Sequence, residues 1–141
     1  FYDGAGLATS RASSWETAEL TGTPVVLVVP ARGAALSVLA VIAGFLDFQP
    51  GSHICGVILN RCSAAVYQGL SVEIRRRFGG RAKPLGFLPD IPECVLESRH
   101  LGLVTAAEAE GNQLPAHFFQ ELKAVLVIKT KGLIPRNGEC T

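Results

Sequence analysis

Three short runs of apolar residues, rich in β-branched side chains, show no polar alternation: Pro24–Val29 (PVVLVV), Ile54–Leu59 (ICGVIL) and Pro84–Leu88 (PLGFL). A strand with one face in water alternates apolar and polar residues. A strand covered on both faces does not. Runs of this kind therefore predict a parallel sheet packed between helices. Parallel strands cannot be joined by a hairpin, so a crossover helix is required between each pair.

The intervening segments supply those helices. Ser13 or Ser14 is placed to cap a helix carrying Trp15, Ala18, Glu19 and Leu20, which should stop near Gly22. Ala34–Asp47 is apolar nearly all round, which predicts a mostly buried helix. Ala64–Phe78 repeats Val66, Leu70, Ile74 and Phe78 at helical spacing and should end at Gly79-Gly80. Thr105 with Glu108 forms a capping box for a further helix, interrupted by Gly111 and Pro115, with a second piece over Ala116–Leu126. Helix and strand thus alternate, the signature of βαβ units with right-handed crossovers, here in an α/β fold with helices on both faces of the sheet. A further strand is expected to end near Tyr2. Residues 1–127 are read as one partial domain and residues 128–141 as a tail or linker, since IKTKGLIPRNGECT lacks periodicity.

Bulk composition narrows the partners. The chain has 141 residues, 48% apolar and 18% charged, with net charge +1. That balance fits a packed core and argues against disorder and against nucleic-acid binding. Arg75, Arg76 and Arg77 form the one basic cluster, read as a solvated helix terminus favoured by the dipole. Cys55, Cys62, Cys94 and Cys140 show no zinc spacing and no disulfide framework, so a cytoplasmic location is the default. The longest apolar stretch, Ala34–Phe48, falls short of the roughly 20 residues that span a bilayer, and no membrane role is expected.

In open parallel sheets, ligands bind beyond the carboxyl ends of the strands. This rule selects Asp3-Gly4, Pro30-Ala31-Arg32-Gly33, Asn60-Arg61 and Pro89-Asp90. Asn60 carries a donor and an acceptor side by side, matching the N6 and N7 edge of adenine. The alternative is an Asn that closes a turn through its own backbone. Asp3 either holds Mg²⁺ or starts a turn. Arg32 is a candidate contact for an anionic ligand, and Arg99-His100 suits a carboxylate or phosphate, with packing of its own loop as the other reading. No G-x-x-x-x-G-K-[ST] loop, G-x-S-x-G elbow or Cys–His nucleophile pair occurs in the 141 residues, so no active site is complete by motif.

Taken together, Phe1-Tyr2-Asp3-Gly4, Thr17–Leu20 (TAEL), PVVLVV followed by Ala31-Arg32-Gly33, Gly56–Arg61 (GVILNR), Leu85–Pro89 (LGFLP) and above all Ser98–Val104 (SRHLGLV) with Thr105 and Ala106 resemble the cobyrinic acid a,c-diamide synthases. The likeness runs from residue 1 to about Glu110, and the Arg-His-Leu-Gly-Leu-Val string is its specific part. Pro30 stands where the family usually has Asp, and Glu97-Ser98 replaces the commoner Pro-Glu.

The resemblance implies a P-loop NTPase fold like that of dethiobiotin synthetase, with the phosphate loop upstream of Phe1 and a glutaminase domain downstream of Thr141. It implies an enzyme that uses ATP and Mg²⁺ to activate two corrin carboxylates of cobyrinate for amidation by ammonia from glutamine. By the same resemblance Asp3 is the acidic residue near metal and substrate, Asn60 meets adenine beside Arg61, and Pro89 and Asp90 line the other side of the base. Arg32, Arg99 and His100 fall on the substrate side. The 141 residues alone are then expected to be inactive, and a homodimer is left open. Two other readings stand beside it: a related ligase of the cobyric acid synthase type, and a non-catalytic adaptor that keeps the fold.

Overall fold

The computed structural model describes residues 1–91. Its elements are α1 (Ser14–Thr21), β1 (Val25–Pro30), α2 (Ser37–Asp47), β2 (Ile54–Asn60), α3 (Ala64–Phe78) and β3 (Lys83–Leu88). The expected helices over Thr105–Leu126, the tail from 128 to 141, Arg99, His100, Cys94 and Cys140 lie outside the described residues.

The three strands form one parallel sheet in the order β1-β2-β3. Central β2 is buried from Ile54 to Leu59, which accounts for its unbroken apolar run. Gly56 is needed there, because a Cβ at this position would run into the Leu85 side chain of β3. The side chains of Leu27, Val29, Val57 and Leu59 form one cluster with Val38, Leu39, Ile42 and Leu46 of α2 and Leu70, Ile74 and Phe78 of α3. Both crossover helices therefore cover the same face, as consecutive right-handed crossovers in sequential strand order must. The helices expected to cover the other face include those that lie outside the described residues; on that face of β1, Val26 and Val28 are exposed at 43% and 52%.

Local signals explain the helix ends. Ser13 caps α1 by accepting from the Glu16 amide at 3.2 Å, and Gly22 ends it in the left-handed region at φ 62°. Ser63 caps α3 in the same way. The arginines of its last turn behave as solvated helix-end cations, Arg76 and Arg77 pairing with Glu73 one turn back. That pairing holds the Glu73 carboxyl below its ordinary range, chiefly through the hydrogen bond from Arg76.

Two further expectations change. α2 begins at Ser37 rather than Ala34, because Gly33 at φ 66° and an Ala34 N–H bond to the Ala31 carbonyl make a turn first. Nor is α2 buried all round; Val41 is 45% exposed. No strand ends at Tyr2. Phe1 and Tyr2 instead pack on the side of α2, where Tyr2 stacks on Phe45 at 5.9 Å and its hydroxyl donates to the Phe45 carbonyl at 2.6 Å. Aromatic rings contribute much apolar area when they pack in this way, and tilted and stacked ring contacts with Phe45 and Phe48 add to it. Among the described residues no helix is long and apolar enough to cross a membrane.

Leu59 is fully buried whereas Val28 is half exposed. Leu59→Ala should cost about 2–5 kcal/mol and Val28→Ala under about 0.5 kcal/mol, as read by urea unfolding of the two variants.

Candidate functional site at the carboxyl edge of the sheet

Parallel register brings Pro30, Asn60 and Leu88 level at the carboxyl ends of β1, β2 and β3. The backbone ladder then continues past the strands. Ala31 N–H donates to the Asn60 carbonyl at 2.7 Å, and Cys62 N–H donates to the Leu88 carbonyl at 2.9 Å. Ala31 and Cys62 are buried beneath the loops, at 3% and 2% exposure. These anchors fix where the next side chains emerge.

Three of the predicted site residues meet there. The Asp90 carboxylate lies 3.4 Å from Arg32 Nε through one oxygen and 3.2 Å from Arg61 Nε through the other. A single carboxylate after β3 thus bridges guanidiniums from the loops after β1 and β2. The three side chains are 68%, 42% and 40% exposed for Arg32, Arg61 and Asp90. Solvent screening keeps each pair weak, so their value lies in placement rather than stability. Pro89 precedes Asp90 on the same loop and is half-buried.

Asn60 sits between these groups at the end of the central strand, half-buried. Its backbone is committed to the sheet, but its carboxamide makes no hydrogen bond among the described residues. It is Arg61, the next residue, that takes the left-handed conformation, at φ 57°. A non-glycine residue there is held by its surroundings, and the Arg61–Asp90 contact is one such hold.

Asp3 is not part of this group. It is exposed and flanks a hollow of about 410 Å³ lined by Phe1, Tyr2, Val41, Gly44, Phe45 and Phe48. That wall is the second half of α2, a crossover helix that has by then run back away from the strand ends. No cluster of three or more His, Cys, Asp or Glu side chains suited to a metal occurs among the described residues.

Sequence reading missed two features. One is the bridge by Asp90, whose partners come from two other loops and leave no local signal. The other is a pair of ties nearer the amino ends of the strands. There His53 Nε2 and Glu19 Oε2 are 2.7 Å apart, and Arg81 donates to Asp47 at 2.6 Å.

Comparison with known proteins follows from this framework. The chain is 38% identical over 107 residues to cobyrinate a,c-diamide synthase of Clostridium acetobutylicum, covering 76% of this chain and 24% of that protein. It is 41% identical over 104 residues to hydrogenobyrinate a,c-diamide synthase of Mycobacterium bovis, covering 74% and 22%. In sequence, the chain belongs to the a,c-diamide synthase family. A third synthase, from Thermoplasma volcanium, matches at 34% over 132 residues, which is 94% of this chain and 28% of that relative. The chain spans about a quarter of the length of the curated a,c-diamide synthases it matches. No family model matches the chain, and no solved structure matches it.

Burial raises the Cys62 thiol above its ordinary pKa. The thiol should react with a disulfide reagent far more slowly than free cysteine at neutral pH and normally once urea unfolds the chain, as peptide mass mapping of Cys62 would read. Because the folded-state value is the higher one, its stabilising contribution is present below the ordinary thiol range. That contribution is lost as pH rises through the folded value.

Proposed function

We propose that this chain forms the adenine-facing and substrate-facing scaffold of an ATP-dependent, glutamine-using amidoligase. Its reaction is amidation of the a and c side-chain carboxylates of cobyrinate, within cobalamin biosynthesis in the cytoplasm. The observation that carries the reading is Asn60: a carboxamide without a hydrogen-bond partner among the described residues, at the end of the buried central strand, in a chain whose relatives are named as a,c-diamide synthases.

The chemistry required is demanding. A carboxylate is a poor electrophile, and ATP would supply the phosphoryl group that creates a leaving group before ammonia from glutamine attacks. The chain's own residues have narrower tasks. Asn60 pairs with the N6 and N7 edge of adenine. Arg61, Pro89 and Asp90 flank the base from the neighbouring loops, and Arg32 faces the anionic substrate. Arg99 and His100 take substrate-side positions by motif alone. The fold assigned on this reading is the P-loop class typified by dethiobiotin synthetase.

Magnesium fits less well. It is commonly held by one or two carboxylates together with phosphate oxygens and water. Asp3 is a single exposed carboxylate on the flank of α2, apart from the strand-end loops. The described residues do not make a magnesium site by themselves, so Asp3 rests on the motif that it shares with the family.

Two outcomes are expected. In the complete synthase, Asn60→Ala should weaken MgATP roughly threefold to tenfold, the worth of about one neutral hydrogen bond, and leave corrin affinity unchanged. Equal nucleotide affinity in the two proteins would return Asn60 to a turn role. The 141-residue chain, which carries no G-K-[ST] loop, should show no glutamine-dependent amidation and bind MgATP only weakly. Micromolar affinity in calorimetry would overturn that expectation.

A further inference from the structure

We propose that Arg32 and Arg61 form one oxyanion-binding pair, and that Asp90 occupies it as an internal counter-ion until a ligand's carboxylate or phosphate oxygens take its place. The inference rests on the reading of this edge as the ligand-binding side and assigns it a chemical class beyond adenine.

The charge arrangement carries the argument. One carboxylate faces two guanidiniums, at 3.4 Å and 3.2 Å, so the cluster retains one positive charge. The nearest approach of each arginine to Asp90 is through its Nε, at the side of the donor fork. Neither guanidinium has an ion-pair partner other than Asp90 among the described residues, although each is shaped to grip two oxygens at once. Asp90 is also the one acidic residue in the three loops, residues 31–36, 61–63 and 89–91. Both crossover helices start at this edge with no acidic residue in the first turn, and α2 has no side-chain cap. Their amino ends add positive potential to that of the arginines.

Geometry makes the exchange feasible. Arg32 and Asp90 stand on loops just past the strand ends, and all three side chains are substantially exposed. Contacts of this kind are weak enough to be displaced. An oxyanion that entered between the guanidiniums would meet donors already brought together, while Asp90 would move out into water at little cost. Two ligands on the proposed pathway carry such a group: the nucleotide through its phosphates and the corrin through its carboxylates.

The test uses the 141-residue chain at constant ionic strength, because screening alone shifts surface pairs. Inorganic phosphate and succinate are titrated separately, with the arginine Nε–H resonances followed by NMR. Saturable shifts of both Arg32 and Arg61 are expected. Asp90→Asn, which removes the competing charge but keeps the shape, should tighten binding about threefold to tenfold. Arg32→Gln and Arg61→Gln should each abolish saturation. Tighter binding of phosphate assigns the pair to the nucleotide; tighter binding of succinate assigns it to the carboxylate substrate.

No saturable shift with either anion, or Asp90→Asn binding equal to or weaker than the parent, overturns the proposal and leaves Asp90 as a tie between loops. Adenosine, which has no oxyanion, separates this result from the adenine reading. Binding of adenosine that Asn60→Ala removes would uphold that reading even where the arginines respond to nothing.

Discussion

β2 is buried from its first residue to the one before Asn60, and its two ladders hold the neighbouring strands level with it. Any polar backbone group along such a strand must be paired inside the protein, since no water reaches it. Pairing on both sides fixes β2 more tightly than either neighbour. The position of Asn60 follows from that constraint, and so do the loops after β1 and β2, because the Ala31 and Cys62 amides are tied to the Asn60 and Leu88 carbonyls. A half-exposed side chain at the end of a rigid strand can be aimed; one in a free loop cannot.

The opposite character of β1 shows what the central position contributes. Leu27 and Val29 enter the core, while Val26 and Val28 face outward in part. The same β-branched run therefore serves two environments. Its lack of polar alternation pointed to cover on both faces, and within residues 1–91 that cover is realised only at β2. A run of valines reports what a strand is able to bury; its neighbours decide how much is buried.

Most of the framework was legible in the residues. Ser13, Gly22 and Ser63 act locally through a hydroxyl or a left-handed backbone, so capping rules find them. Strand positions followed from composition within a residue or two. What escaped depended on distance. The start of α2 hinged on a turn around Gly33, and Phe1 and Tyr2 preferred the flank of α2 to a ladder. At the candidate site, Asn60, Arg32, Arg61 and Asp90 were all selected from the strand-end rule. Their mutual arrangement was not, because an ion pair spanning three loops exists only once the sheet has set their spacing. Asp3 was selected by the same rule and stands apart, since the strand that would have presented it is absent from residues 1–91.

The sequential order of the sheet has a kinetic consequence. Among the described residues each strand pairs only with the one before or after it, so each of the two ladders closes a single helical crossover. Loop-closure entropy is then met in two moderate steps rather than one long one, which favours faster folding than a sheet that joins distant segments. β2 takes part in both steps. A nucleus built on it would recruit α2 with β1 and α3 with β3 independently, and residues of β2 would show the highest φ-values among the described residues. α1, which buries Ala18 alone among its residues, would join late.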